Sequence, residues 1–346
     1  MEETKKIFTR IKDATTDPAY GCAPEKREMP AYLRSGIIIV DKPCGPSSHE
    51  VGAWVKRLVG AEKSGHSGTL DPLVSGVLPV ALDDATKMLT FMLKSNKEYV
   101  GIMRFHKDIS EKMVKRLFVE YTGTITQLPP VRSAVKRQER QRSIYALKLI
   151  EFNGRDALFS VACEAGTYVR KLCHDIGRKA GTGANMIELR RTRAAGFGEE
   201  ECHTLHELTD ALWLWREKGE EKELRRIVMP AEAALHMRHI YMADGAVEAV
   251  CAGAQLALPG IAKFDDGIKE ADTVALMTLK GELVAVAKAL MGAEAMKSGT
   301  KGLAASTVRV VMRAGTYPRG WKKHENAGEQ AGFGSETTAK KEVPQA

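Results

Sequence analysis

One acid stands on a constrained bend. The stretch Gly65-His66-Ser67-Gly68-Thr69-Leu70-Asp71-Pro72 is a Gly-rich loop that ends in a single carboxylate. Its glycines let the backbone turn where a side chain would clash. Pro72 fixes its own φ and pushes Asp71 out of the helical region. An acid held this way, between a helix and the apolar run Val77 to Leu82, can be aimed at a target. By itself Asp-Pro is ordinary turn chemistry, so the weight must come from elsewhere in the chain. Tyr99, Tyr168 and Arg170 fall at or near the edges of expected elements. One acid, a stacking ring and an arginine suit chemistry on an extruded nucleobase. Unstacking such a base costs about a few kcal/mol, and a stack on an aromatic face returns roughly 1–3 kcal/mol. Core packing with a satisfied hydroxyl is the commoner fate of a lone tyrosine.

Other chemistries fit less well. Gly60 to Ser67 nearly spells a phosphate-binding loop, but His66 stands where lysine is required, and the glycines follow a helix instead of a strand. The histidine pairs His203/His206 and His236/His239 lack the HExxH pattern of a zinc site. A glycosidase needs two flanking carboxyl groups, and Asp71 has no obvious partner acid. The six cysteines form no Cys-x-x-Cys pair, so they read as reduced residues of a cytoplasmic protein. No metal is expected.

Several elements must position these residues. Gly36 to Val40 reads as a buried strand, and Asp41-Lys42-Pro43 as its stop. Ser47 and Glu50 have capping-box spacing, and Val51, Trp54, Val55, Leu58 and Val59 share one face of a helix closed by Gly60. Lys97 to Phe105 reads as a strand and 111–121 as a short amphipathic helix. After the breaker Gln127-Leu128-Pro129-Pro130 comes a basic segment, Val131 to Arg142. It is either a solvated surface loop or one that faces phosphates, through Arg132, Lys136, Arg137 and Arg140. Ala157 to Cys163 is a strand turning into a helix capped by Thr167, with Val169, Leu172, Cys173 and Ile176 inward. Helix starts favour anions, which makes Tyr168 to Lys171 a second candidate site. Gly177 to Gly183 should break that helix, and Leu189 to Arg193 follows as a basic strand or loop. Residues 204–217 form another helix, and Met229-Pro230 looks like a domain edge. Beyond 235 the texture is β-rich, with a helix from Asp244 to Ala252, a hairpin turning at Lys280-Gly281 and a last strand, Val308 to Arg313. From about residue 320 the composition is that of a disordered tail.

At 346 residues the chain has room for two domains. Its formal charge of +8 points first to nucleic acid as partner. The charged N-terminus lacks a signal-peptide core, and no apolar run reaches the roughly 20 residues of a membrane span.

The ordered set of Asp41-Lys42-Pro43 with Pro46-Ser47-Ser48, Gly65 to Pro72, Lys97-Glu98-Tyr99, Gly166 to Arg170 and Leu189-Arg190-Arg191 resembles the TruB-type pseudouridine synthases. Ala134 to Gln138, Cys163 to Thr167, Ala249 to Ala254 with Pro259-Gly260, and Tyr317-Pro318-Arg319-x-Trp321 make 28–313 similar to their dyskerin branch in its archaeal form, the catalytic subunit of H/ACA guide-RNA particles. The resemblance implies a mixed α/β (α+β) fold. A catalytic domain with a mixed central sheet would occupy 35–232, and a small β-barrel-like PUA domain 235–313. The extension 1–34 would pack partly on the PUA domain, and the tail would be 320–346. It implies isomerisation of uridine to pseudouridine in rRNA and tRNA without a cofactor. Guide RNA and small particle proteins would be partners, with action on the T-loop uridine of tRNA a further possibility. Asp71 would be the nucleophile, Tyr99 would stack on the flipped base and Arg170 would pair with Asp71. Tyr168 and Leu189 would line the pocket, with His66 beside the target nucleotide. Arg190 and Arg191 would join the basic loop in contacting RNA. The alternative is a non-catalytic RNA-binding scaffold.

Overall fold

The structure, a computed structural model, describes residues 6–129 and 138–318. Its larger sheet is built outward from the strand Gly36–Lys42. Successive residues of a strand point to opposite faces, and here both faces are covered, so the run reads as continuously apolar. Ile37 and Ile39 pack with Ala275, Met277 and Val286 of the second sheet. Ile38 and Val40 pack with Val51, Val55, Leu208 and Leu212 of the helices Ser48–Val59 and Leu205–Lys218. The strand order is Val228–Pro230, Gly36–Lys42, Ser75–Leu82, Ala184–Ala194, Lys97–Phe105, Asp156–Cys163, Arg140–Asn153, Gly123–Gln127. All neighbours are antiparallel except Ser75–Leu82 with Ala184–Ala194, whose parallel contact is Ser75↔Arg190 and Gly76↔Arg191. The sheet is therefore mixed, as the fold class requires.

The second sheet runs Ile7–Thr9, Ile261–Asp265, Arg238–Met242, Thr273–Met277, Leu283–Ala289, Leu303–Val310, Leu256–Ala257. The N-terminal strand sits on its edge, paired Ile7↔Asp265 to Thr9↔Lys263. Lys280, at the hairpin turn, donates to the carbonyls of Asp17 and Tyr20 and so ties the same stretch down.

Several local expectations change. Met229-Pro230 ends the edge strand Val228–Pro230, which pairs with Gly36–Lys42, and the next strand, Arg238–Met242, belongs to the second sheet. Gly177 lies inside the helix Val169–Ala180. A Cβ there would come within 2.1 Å of the Ala184 nitrogen, so this glycine serves close packing, and the helix ends at Gly181 with φ +72°. Thr167 does not cap that helix; it belongs to the preceding turn, where its hydroxyl donates to Glu164 O. Trp54 is 38% exposed and leaves the buried stripe of its helix. The last strand is Leu303–Val310. Among the strands that escaped the sequence reading are Gly123–Gln127 and Arg140–Asn153, and the three-residue strands Ile7–Thr9, Ser64–His66 and Val228–Pro230. The basic segment expected as one loop to Arg142 is thus strand from Arg140 onward. Its 130–137 part, with Arg132, Lys136 and Arg137, lies outside the described residues, as do Arg319, Trp321 and the expected tail.

Candidate functional site

The bend that carries Asp71 is fastened on both sides. Ser47 caps the helix Ser48–Val59 in a capping box with Glu50, which leaves Ser48 free to turn inward. The buried Ser48 hydroxyl accepts from the Leu70 amide at 2.8 Å and donates to the Leu70 carbonyl at 3.2 Å. On the other side stands Lys42, with no exposed surface. Its ammonium donates to the carbonyls of Pro43 at 2.8 Å, Pro72 at 3.0 Å and Val74 at 2.7 Å. Three donors meet three acceptors, which is what a buried ammonium needs to be tolerated. Burial holds its pKa below the usual lysine range. Gly45 N also donates to Pro72 O, at 2.9 Å. The residues before and after Asp71 therefore have their peptide groups anchored, while the carboxylate itself stays half exposed.

A third support comes from the sheet. In register, Gly76, Arg191, Tyr99 and Val161 form one line across four strands. Arg191 is 1% exposed. Its guanidinium donates to Val77 O at 2.8 Å and Gly68 O at 3.0 Å and hydrogen-bonds the Tyr99 hydroxyl. Arg191 was expected among the RNA contacts; it is instead an internal brace under the Asp71 loop, because the line through Gly76 carries it into the core. Arg190 is likewise committed, gripping Asp41 at 2.9 and 3.1 Å and also Glu199. Neither guanidinium is a free phosphate ligand. Burial raises the Tyr99 pKa, so that phenol stays protonated.

Arg170 sits two residues into the helix that starts after Tyr168 and pairs directly with Asp71. The structure thus unites residues 99 apart in sequence. Both side chains are about half exposed and can be reached from solvent. Tyr168 is partly exposed at the same helix start. Its N–H donates to Gln127 Oε1 at 3.0 Å, and Gln127 Nε2 donates to its carbonyl at 3.1 Å. Leu189 is buried in the apolar cluster with Leu70, Val74 and Val169, with Tyr99 against it. His66 meets His49 edge to face at 4.9 Å. Its two ring nitrogens are buried and without hydrogen-bond partners among the described residues. Burial first, then His49 and Arg191, lowers its pKa, which favours the neutral ring. Arg140 is partly buried at the start of its strand, opposite Gln127. Among the described residues no cluster of three or more His, Cys, Asp or Glu side chains is placed to hold a metal, and no helix is long and apolar enough to cross a membrane.

Lys42, Ser48 and Gln127 are the supports that sequence reasoning did not single out. Each acts on backbone groups, which have no signature of their own. The one available signal was their place within the quoted stretches, where Lys42 read as a stop, Ser48 as part of a cap and Gln127 as part of a breaker.

An exposed carboxylate on a rigid bend, paired with an arginine at a helix start and braced from below by Arg191 and Tyr99, suits nucleophilic attack on a planar, polar substrate. Residues 56–169 match the TruB family pseudouridylate synthase N-terminal domain, and 170–236 the tRNA pseudouridylate synthase B C-terminal domain. Residues 238–311 match the PUA domain and 1–52 the DKCLD domain. A probable tRNA pseudouridine synthase B of Methanosarcina barkeri is 50% identical over 93% of this chain and 96% of its own length. One from Archaeoglobus fulgidus is 51% identical over 90% and 96%. Among solved structures, a chain of a Cbf5-Nop10-Gar1 complex superposes with a TM-score of 0.82 at 47% identity, covering 92% of this chain and 97% of that one. A chain of an H/ACA RNP bound to a substrate RNA containing 2'-deoxyuridine gives 0.82 at 44% identity, covering 92% and 98%.

Proposed function

This chain belongs to the TruB family of pseudouridine synthases, isomerases acting on uridine in RNA, and we propose that Asp71 is the nucleophile with which it works. The membership sets aside the non-catalytic scaffold. The observation that carries the proposal is the Asp71–Arg170 pair. It is exposed to solvent while the Leu70 amide and carbonyl on one side, and the Pro72 and Val74 carbonyls on the other, are tied down. Electrostatic preorganisation of this kind is the cheapest route to stabilising developing charge, since nothing has to reorganise during reaction.

The isomerisation breaks the bond between uracil N1 and the ribose and forms one from C5 to the same ribose carbon. C5 loses a proton and N1 gains one, so atoms balance without an external electron donor. Asp71 supplies the electron pair that lets the base detach. Arg170 orients the carboxylate before attack. Tyr99, kept as a phenol by burial, offers a ring face and a proton-bearing oxygen to the detached base. Tyr168 and Leu189 bound the pocket in which the base turns over. His66, neutral and with buried, idle ring nitrogens, would meet the target nucleotide once its ring is uncovered.

The substrate reading is that the chain acts as the catalytic subunit of an H/ACA guide-RNA particle, on rRNA and tRNA, with small protein partners. Its support is the similarity to chains from the Cbf5-Nop10-Gar1 complex and the H/ACA RNP, together with the PUA match and the net charge of +8. Arg132, Lys136, Arg137 and Arg140 would contribute phosphate contacts. Work on tRNA is the additional role in line with the Methanosarcina relative's name, and the T-loop uridine is the position we assign to it. The test is single-turnover pseudouridine formation on two RNAs. One is an unmodified tRNA with the protein alone; the other is a short target with a matching H/ACA guide and partner proteins. Product on the guided target supports the particle assignment. Product on tRNA alone, with none on the guided target, overturns it.

A further inference from the structure

We propose that Gln127 is a positioning residue for the reaction: its side-chain amide sets the angle at which the Tyr168–Arg170 arm enters the Asp71 site. The role rests on the reading of that site given above. A helix start leaves several N–H groups without intrahelical partners, and a side chain at the cap position commonly satisfies one of them. Tyr168 holds the cap position of the helix Val169–Ala180, yet makes no side-chain cap. Thr167 is turned back onto Glu164. What holds the chain where it enters the helix comes from outside.

Gln127, the last residue of the edge strand Gly123–Gln127, is 2% exposed. Its carboxamide faces the Tyr168 backbone as a strand neighbour would, accepting from the N–H at 3.0 Å and donating to the carbonyl at 3.1 Å. Two bonds to the same residue fix a direction as well as a distance. The Tyr168 carbonyl also accepts from Leu172 N at 2.9 Å, so the grip extends into the first helical turn, where Arg170 projects to Asp71. Glutamine is the side chain of this length that offers one donor and one acceptor together. A buried amide whose only task was to fill space would be replaceable by methionine.

Two variants separate these roles. Gln127→Glu as the carboxylate keeps the acceptor for Tyr168 N–H and loses the donor. Gln127→Met keeps the volume and loses both. Each is assayed in the full chain with whichever RNA the unsubstituted protein converts. Amide hydrogen exchange of the peptide containing Tyr168 is followed alongside. The expected result is a fall in the maximal single-turnover rate of about ten-fold for Glu and about a hundred-fold for Met, with the half-saturating RNA concentration within about two-fold of the unsubstituted value. Exchange at Tyr168 should quicken in the Met variant and less so in the Glu variant. An unchanged rate in a folded Met variant overturns the assignment. So does a rise in the half-saturating concentration that matches the fall in rate, since that would make Gln127 a general support of RNA binding. If Met prevents folding, the Glu variant decides: a full rate with quickened exchange means the clasp does not orient the arm. If the unsubstituted chain converts no RNA, the reading of the Asp71 site fails and takes this role with it.

Discussion

A buried ammonium is worth having only where it has three acceptors, and Lys42 has three, its neighbour Pro43 O and, just after Asp71, Pro72 O and Val74 O. It touches no substrate in this arrangement; it decides where the carboxylate sits. Lys42→Met would leave the carbonyls of Pro43, Pro72 and Val74 without that donor, at about 1–3 kcal/mol for each buried group left unpaired. The expected outcome is a lower urea midpoint and a single-turnover rate reduced by about a hundred-fold. A variant with normal rate would mean the bend holds without this residue. Asp71→Asn separates chemistry from support: RNA binding should persist while product formation falls by roughly four orders of magnitude. Gel-shift and rapid-quench assays on the same preparation check both halves, and a full rate would remove Asp71 from the mechanism. The Asp71–Arg170 contact was legible because exposed polar side chains on a defined bend and a helix start can be aimed at each other. Lys42, Ser48 and Gln127 were not, because their partners are peptide groups of any residue. Arg190 and Arg191 were misread for a related reason. Adjacent basic residues look alike in sequence, and only the register shows that one is a core brace and the other is held by Asp41 and Glu199.

At the scale of elements, the site depends on one short parallel contact. Ser75↔Arg190 and Gly76↔Arg191 are the two pairings that bring the strand after the Asp71 loop against the long strand bearing Leu189 to Arg191. Gly76 is at φ +102°, and a Cβ there would lie 2.2 Å from Arg191 O. Gly76→Ala would meet both backbone strain and a steric clash with backbone that cannot yield as a flexible side chain does. A loss of at least about 2 kcal/mol in stability is expected, with Arg191 displaced from Gly68 and activity lost with it. Urea denaturation measures the first part, and a near-native midpoint would show that the strands can part without cost. The buried strands Gly36–Lys42 and Ser75–Leu82 were legible from their unbroken apolar runs. Gly123–Gln127 and Arg140–Asn153 were not. Gly123–Gln127 is short and mostly exposed, so its pairing at the sheet edge keeps it extended, while Arg140–Asn153 puts Ile144 and Leu147 in the core but opens on basic residues that read as part of the loop before it.

For the whole molecule, the two sheets share one apolar cluster. Ile37, Ile39, Val77 and Ala81 meet Ala275, Met277, Leu283, Val286 and Val311. Arg313 to Asp84 at 2.8 Å and Lys87 Nζ to Val311 O at 2.8 Å tie its rim. Two units that bury each other's apolar faces should unfold together, so stability has a single pH dependence to which buried groups in both sheets contribute. Four of those groups are thiols. Burial pushes Cys163 and Cys251 up to about 11, and Cys173 and Cys202 up to about 12, from an ordinary value of 9.0. A group whose folded pKa is raised contributes stability that is full below the unfolded value and is lost as pH rises through the folded one. These thiols therefore act against folding from pH 9 upward, as unfolded chains ionise and folded ones do not. Lys97 works the other way. Its burial lowers it from 10.5 to about 8, so its penalty is relieved between those values. From pH 8 to 9 Lys97 acts ahead of the thiols, in the same direction as Lys42, which burial also lowers, and the urea midpoint should hold or rise slightly. Above pH 9 the four thiols oppose these two lysines, and Tyr99 and Tyr241, also raised by burial, join the thiols above about 10. The midpoint should then fall steadily. Cys173→Ala should make that fall shallower, because Cys173 is 1% exposed and its shift comes mainly from burial. Urea midpoints at half-unit steps from pH 7.5 to about 10.5 test this. A slope above pH 9 that is the same in both proteins would show that this thiol is not part of the cause.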